Sequence, residues 1–224
     1  MPTAREGLLD AAYAALGDRP WAGVRMVDVA AAAGVSRQTL YNEFGSKDGL
    51  AQALLRREAA AYLAGVERAL ADAERSGADI AGRLAALGEW TLRTARANPL
   101  VRAVLTGCWG ARLPVPQRSA RTALPGQRGA GQRGPGVAAP VESPAEMVDK
   151  VCERAVAALA VDWPGGAQPA AVCEHFTRIT LSLVVAPGAK GDGLAETAAA
   201  LLAGPSSVAA GARELQADDA GDDQ

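Results

Sequence analysis

The stretch RMVDVAAAAGVSRQTLYNEFGSK, from Arg25 to Lys47, decides how this chain is read. It has the pattern of two short helices joined by a tight turn, followed by an aromatic hinge into a longer helix. Ala30, Gly34 and Leu40 stand at the three spacings a helix-turn-helix needs. A small residue on the first helix lets the second approach, a glycine in the turn takes the left-handed backbone, and an apolar residue seats the second helix on the core. That second helix, Ser36 to Phe44, is of the kind that lies in a DNA major groove.

On either side of this stretch the punctuation predicts helices and little else. Thr3 and Glu6 have capping-box spacing, so a first helix starts near Ala4 and ends at Gly17-Asp18-Arg19-Pro20. The helix of the turn motif spans Val27 to Ala33, and Ser36 is the N-cap of the next. Ser46 opens a long helix from Lys47 to Arg75, closed by Ser76-Gly77. Another runs from Asp79 to Ala97, and Asn98-Pro99 caps a short one that extends to Cys108. Ser143-Pro144-Ala145-Glu146 restarts the pattern, giving helices over Pro144–Val161, Pro169–Val185 and Asp192–Ala203. Aromatics are only 4% of the 224 residues, and alanine, leucine and valine dominate. The expectation is an all-α protein of about nine helices. It divides into a helix-turn-helix domain (1–46), a second helical domain (47–204) and a disordered acidic tail (205–224). Within the second domain a proline-, glycine- and arginine-rich insert, 111–142, is expected to be disordered.

Whole-chain charge says little about nucleic acid. The net charge is −2 with a pI near 5.5. Residues 1–70 balance eight bases against eight acids. Segment 112–133 carries five arginines and no acid, and the tail from Glu214 carries five acids and no base. Three widely spaced cysteines and no secretory leader suit free thiols in a reducing, cytoplasmic setting. The longest apolar run, Leu181 to Ala186 around one serine, is far short of the ~20 residues of a membrane span. No membrane partner and no cofactor are expected.

With the Ala30–Gly34–Leu40 spacing, the TLY-x-x-F hinge of Thr39 to Phe44 and the Gly45-Ser46-Lys47 entry to the long helix, the first ~65 residues resemble the TetR family of bacterial transcription regulators. Trp21 stands where that family usually has an aromatic between its first two helices. The resemblance implies a homodimer whose last two long helices form a four-helix interface, with each N-terminal unit reading half of a palindromic operator on double-stranded DNA. It further implies that a small molecule in the C-terminal domain changes the spacing of the two heads and relieves repression.

On that reading the DNA-binding residues are Arg25, Ser36, Arg37, Gln38, Thr39, Tyr41, Asn42 and Lys47. Arg37 can fork onto guanine, and Gln38 or Asn42 can pair bidentately with adenine. Thr39 and Tyr41 carry hydroxyls suited to phosphate, and Lys47 adds a phosphate contact beside a helix N-terminus. The competing reading is a solvated helix face on an unrelated bundle. Two positions depart from the family. Arg25 replaces a threonine that commonly caps the second helix; arginine cannot cap that way, though it can reach a phosphate. Glu43 stands where histidine is frequent, and its bland reading is that it points to solvent or pairs with a nearby base.

Leu87, Trp90, Leu105, Cys108, Trp109, Met147, Cys152, Phe176, Ile179 and Leu183 lie on helices that would surround an apolar effector cavity. The expected effector is therefore small and hydrophobic. Taken singly, each residue is also plain core. His175 and Cys173, two apart on a helix, diverge, so no metal site is expected. Gly129 to Gly134 matches GxGxxG but lacks the flanking strand and helix the fingerprint needs, and is rejected. An enzyme would need a catalytic constellation that is not found. The competing readings are an activator or dual regulator of the same family and, from another class, a helical small-molecule-binding protein without DNA binding.

Overall fold

The computed structural model describes residues 3–116, 141–163, 168–188 and 193–203. Among them are nine helices and no strand: α1 (Ala4–Asp18), α2 (Met26–Ala32), α3 (Arg37–Phe44), α4 (Lys47–Arg75), α5 (Ile80–Ala97), α6 (Pro99–Thr106), α7 (Pro144–Leu159), α8 (Pro169–Val185) and α9 (Leu194–Ala203). Short 3₁₀ turns follow at Trp21–Gly23 and Ala160–Asp162. The acidic tail, the GxGxxG-like run and most of the arginine-rich insert lie outside the described residues, as does the start proposed for α9 at Asp192.

The chain forms two compact units, Met1–Ala61 with Asn98–Pro144, and Tyr62–Ala97 with Ala145–Gln224. The first half of α4, whose Leu50, Leu54 and Leu55 are fully buried, thus groups with the N-terminal helices.

In the N-terminal unit the caps fall where residue chemistry puts them. The Glu6 N–H donates to Thr3 Oγ1 at 3.2 Å, and the Thr3 N–H donates back to a Glu6 carboxylate oxygen at 2.7 Å. Each bond satisfies a backbone donor that the helix itself leaves open. Asn98 Oδ1 accepts from the Leu100 and Val101 amides, while its Nδ2 donates to Glu58 at 2.7 Å. Gly107, left-handed at φ 71°, ends α6 at Thr106, two residues before the expected Cys108. Residues 111–116 differ from the disorder expected of them. The Trp21 N–H donates to the Arg112 carbonyl at 2.8 Å, and Pro114 is buried. A buried backbone donor needs an acceptor, and here a segment distant in sequence supplies it.

In the C-terminal unit α5 packs on α8 and α9, which also pack on each other. Gly88 makes the crossing close: a Cβ there would meet Leu194 at 2.9 Å and Phe176 at 3.2 Å. Gly65 does the same for Trp90, whose ring occupies the space of the missing methyl. The Trp90 Nε1–H donates to the Tyr62 carbonyl at 3.3 Å, and the Tyr62 hydroxyl shares a buried 2.9 Å hydrogen bond with Thr91. Burial pushes the Tyr62 phenol up to about 12. Arg83, only 2% exposed, donates to Asp162 Oδ2 at 2.9 Å and to the Ala158 carbonyl, and lies 3.6 Å from Glu74. It ties α5 to the end of α7, which tightens into a 3₁₀ turn after Leu159 instead of continuing to Val161.

Candidate nucleic-acid interface

Helix α3 is fixed at both ends and along one side. Ser36 Oγ accepts from the Thr39 N–H at 3.0 Å and shares a 2.9 Å bond with the Thr39 hydroxyl. Gly34 supplies the left-handed turn before it, φ 68°, and Gly45 the turn after it, φ 70°. Leu40 is fully buried and Phe44 nearly so, which anchors the helix and leaves its other face outward. Arg37, Gln38, Thr39 and Asn42 lie on or beside that face.

Several of these side chains already have partners. Gln38 Nε2 donates to Asn42 Oδ1 at 2.8 Å, one helical turn apart. The Arg37 guanidinium lies 5.3 Å from the Tyr41 ring centroid. Lys47 Nζ donates to the Ala22 carbonyl at 3.1 Å and sits 5.5 Å from the Trp21 ring, which holds its ammonium against the 3₁₀ turn. The amide pair leaves the Gln38 oxygen and the Asn42 N–H₂ group available as one joined donor–acceptor edge. Substitutions at the two positions should therefore be non-additive. The expected coupling in a double-mutant cycle of DNA affinity is about 0.5–3 kcal/mol. Additivity within experimental error would show that the two amides act separately.

Arg25 is not a side-chain cap for α2. Its Nε and Nη2 each donate to Asp28 at 2.9 Å, and Arg19 lies 3.3 Å from the same carboxylate. The Arg25 hydrogen bond holds Asp28 below the usual carboxylate range. Since that pKa is depressed, the pairing contributes above the ordinary Asp value and is lost as pH falls through the lowered one. Glu43 pairs with Arg5 at 3.3 Å, an arrangement that locates a partner for this departure from the family pattern.

The ten candidate effector residues divide between the two units. Leu105, Cys108 and Trp109 belong to the N-terminal unit, and Leu87, Trp90, Met147, Cys152, Phe176, Ile179 and Leu183 to the other. Leu87, Met147 and Phe176 are buried, Trp90, Cys152 and Leu183 half-buried, and Ile179 exposed. Cys152 lines an open groove of about 570 Å³ between α7 and α8, with Val156 and Ala157 and the carboxylates of Asp149, Glu153 and Glu174. Burial raises the Cys152 thiol, with Glu174 and Asp149 adding to the shift, and burial pushes Cys173 up to about 12. Neither is a ready thiolate at neutral pH. A thiol reagent should accordingly modify the exposed Cys108 first, Cys152 slowly, and Cys173 only after unfolding. Fast loss of the Cys173 thiol in the native protein would contradict that burial. Among the described residues no group of three or more metal-ligating side chains occurs, and no helix is long and apolar enough to cross a membrane.

Comparison with known proteins agrees with this geometry in the head. Residues 8–54 match the family model for bacterial regulatory proteins, tetR family. The HTH-type transcriptional regulator AlkX of Mycobacterium tuberculosis (strain ATCC 25618 / H37Rv) is 56% identical over 48 residues, which are 21% of this chain and 23% of that protein. The match therefore spans less than a quarter of that relative's length. The N-terminal unit carries a TetR-family helix-turn-helix domain. Among solved structures, the TetR family repressor AlkX of Dietzia sp. strain DQ12-45-1b, implicated in biodegradation of n-alkanes, is 24% identical with a TM-score of 0.49, over 86% of this chain and 89% of that one. The fatty acid degradation regulator FadR of Bacillus halodurans is 14% identical with a TM-score of 0.47, over 88% and 97%.

Proposed function

We propose that this chain is a one-component transcriptional repressor, binding a palindromic operator as a homodimer and released by a small hydrophobic effector. The observation that carries the reading is the outward face of α3, where Arg37, Gln38 and Asn42 stand together on a TetR-family head. Arg37 and the Gln38–Asn42 pair read base edges; Ser36, Thr39, Tyr41, Lys47 and Arg25 fix the head on the phosphates. The effector reading draws support from the apolar character of Leu87, Met147 and Phe176, all buried in the C-terminal unit. A Trp90→Phe protein that answered every inducer of the wild type unchanged would remove Trp90 from that site. For the dimer, α8 exposes Ile179 and Val185, and α9 exposes Ala195, Ala199 and Ala203 at four-residue intervals, small enough for close helix approach. A monomer by light scattering at micromolar concentration would defeat it.

The DNA reading is tested by two substitutions with different signatures. Arg37→Ala should cost roughly 1–3 kcal/mol on the operator and relax one base position, while Lys47→Ala should weaken binding to all sequences alike and lower the salt slope by about 1. Equal losses on operator and random DNA for Arg37→Ala would sink its base-reading role.

A further inference from the structure

Arg5 and Glu43 are each placed against the dipole of their own helix. Arg5 is a cation in the first turn of α1, where backbone N–H groups already leave partial positive charge; Glu43 is an anion in the last turn of α3, where carbonyls leave partial negative charge. Both placements are unfavourable taken alone. Folding brings them together across 38 positions of sequence. Arg5 Nη1 donates to the Glu43 carboxylate at 3.3 Å and to the Glu43 backbone carbonyl at 3.3 Å, and the guanidinium lies 4.7 Å from the Phe44 ring centroid. One side chain thus satisfies a terminal carbonyl of the recognition helix, neutralises its only acid and covers its last anchoring aromatic.

We infer that Arg5 is a positioning residue for DNA recognition: it holds Glu43 on the α1 side of the head, so that α3 meets the phosphates without a repelling carboxylate. This rests on the DNA-binding reading above. Side-chain exposures of 45% for Arg5 and 38% for Glu43 make the pair a small contributor to stability. Its consequence is electrostatic and falls on binding, since an uncompensated carboxylate beside a phosphate chain opposes every approach of the head.

The experiment compares wild type, Arg5→Ala, Glu43→Gln and the double variant on the duplex that wild type enriches from a random-sequence pool, at low and moderate salt. Arg5→Ala should bind about 3- to 10-fold more weakly at low salt, with the gap narrowing as salt screens Glu43. Glu43→Gln in that background should restore wild-type affinity, which a merely structural role for Arg5 would not allow. An Arg5→Ala loss that persists undiminished beside Glu43→Gln would overturn the inference and make Arg5 a direct phosphate ligand or a plain support. Unchanged binding by Arg5→Ala would overturn it too, leaving the DNA reading intact. If wild type enriches no sequence at all, the DNA reading itself fails and takes this role with it.

Discussion

Gly49→Ala is expected to abolish DNA binding and to cost about 3 kcal/mol of stability in the N-terminal unit. Gly49 is the third residue of α4, and its N–H donates to Ser46 Oγ at 3.0 Å in the cap of that helix. A Cβ there would stand 2.0 Å from the Phe44 carbonyl oxygen and 3.1 Å from its carbon. Those are backbone atoms at the end of α3, and no side-chain rotation relieves them. The Phe44 carbonyl is held in addition by the Ser46 N–H at 2.8 Å. Relief requires α3 and α4 to part, which moves Arg37, Gln38 and Asn42 off their positions. Gly7→Ala in α1 is the control: nothing lies within 4 Å of the new methyl, so removing a mid-helix glycine should stabilise by about 0.5–1 kcal/mol. Thermal melting of both variants checks the pair, and a Gly49→Ala protein that melts and binds like wild type would refute the close approach.

Phe176→Ala should be the most destabilising truncation in the C-terminal unit, by about 3–5 kcal/mol. The ring is fully buried on α8 and faces Gly88 of α5, where the backbone approach that the glycine allows has already used the available slack. Such a site cannot collapse to refill the void, so the cavity cost adds to the lost transfer energy. Denaturant unfolding with an unchanged m-value would report the loss. A dry apolar cavity of that kind binds benzene, so benzene-saturated buffer should recover part of the stability. A loss below about 1 kcal/mol would mean that the α5–α8 crossing repacks freely.

The local chemistry of the fold was legible in the sequence because it is carried by residues close together in the chain. The Thr3–Glu6 box, the Ser36 cap, the Asn98-Pro99 start and the glycines at 34 and 45 act within a few residues, and each does in the structure what its chemistry predicts. What stayed hidden depends on partners far away in sequence. Arg83 lies three residues after Ile80 and four before Leu87, on the apolar stripe of α5, a misplaced charge that flags a buried guanidinium in need of an acidic partner. Its partner Asp162 is 79 positions on and could not be named. The 3₁₀ turn at Trp21–Gly23 is too short to show a period, and Arg112 meets Trp21 through a backbone carbonyl that any residue could offer. The candidate base-reading residues could be listed from the motif, but not the Gln38–Asn42 bond or the Arg5–Glu43 pairing, which depend on rotamers and on how α1 meets α3.

Footprinting the purified protein on DNA flanking its own gene, with Arg37→Ala alongside, asks whether the protein is a dimeric reader of a specific site. The expected result is protection of an inverted repeat that disappears in the variant. Protection that is indifferent to sequence, or unchanged in Arg37→Ala, would contradict it.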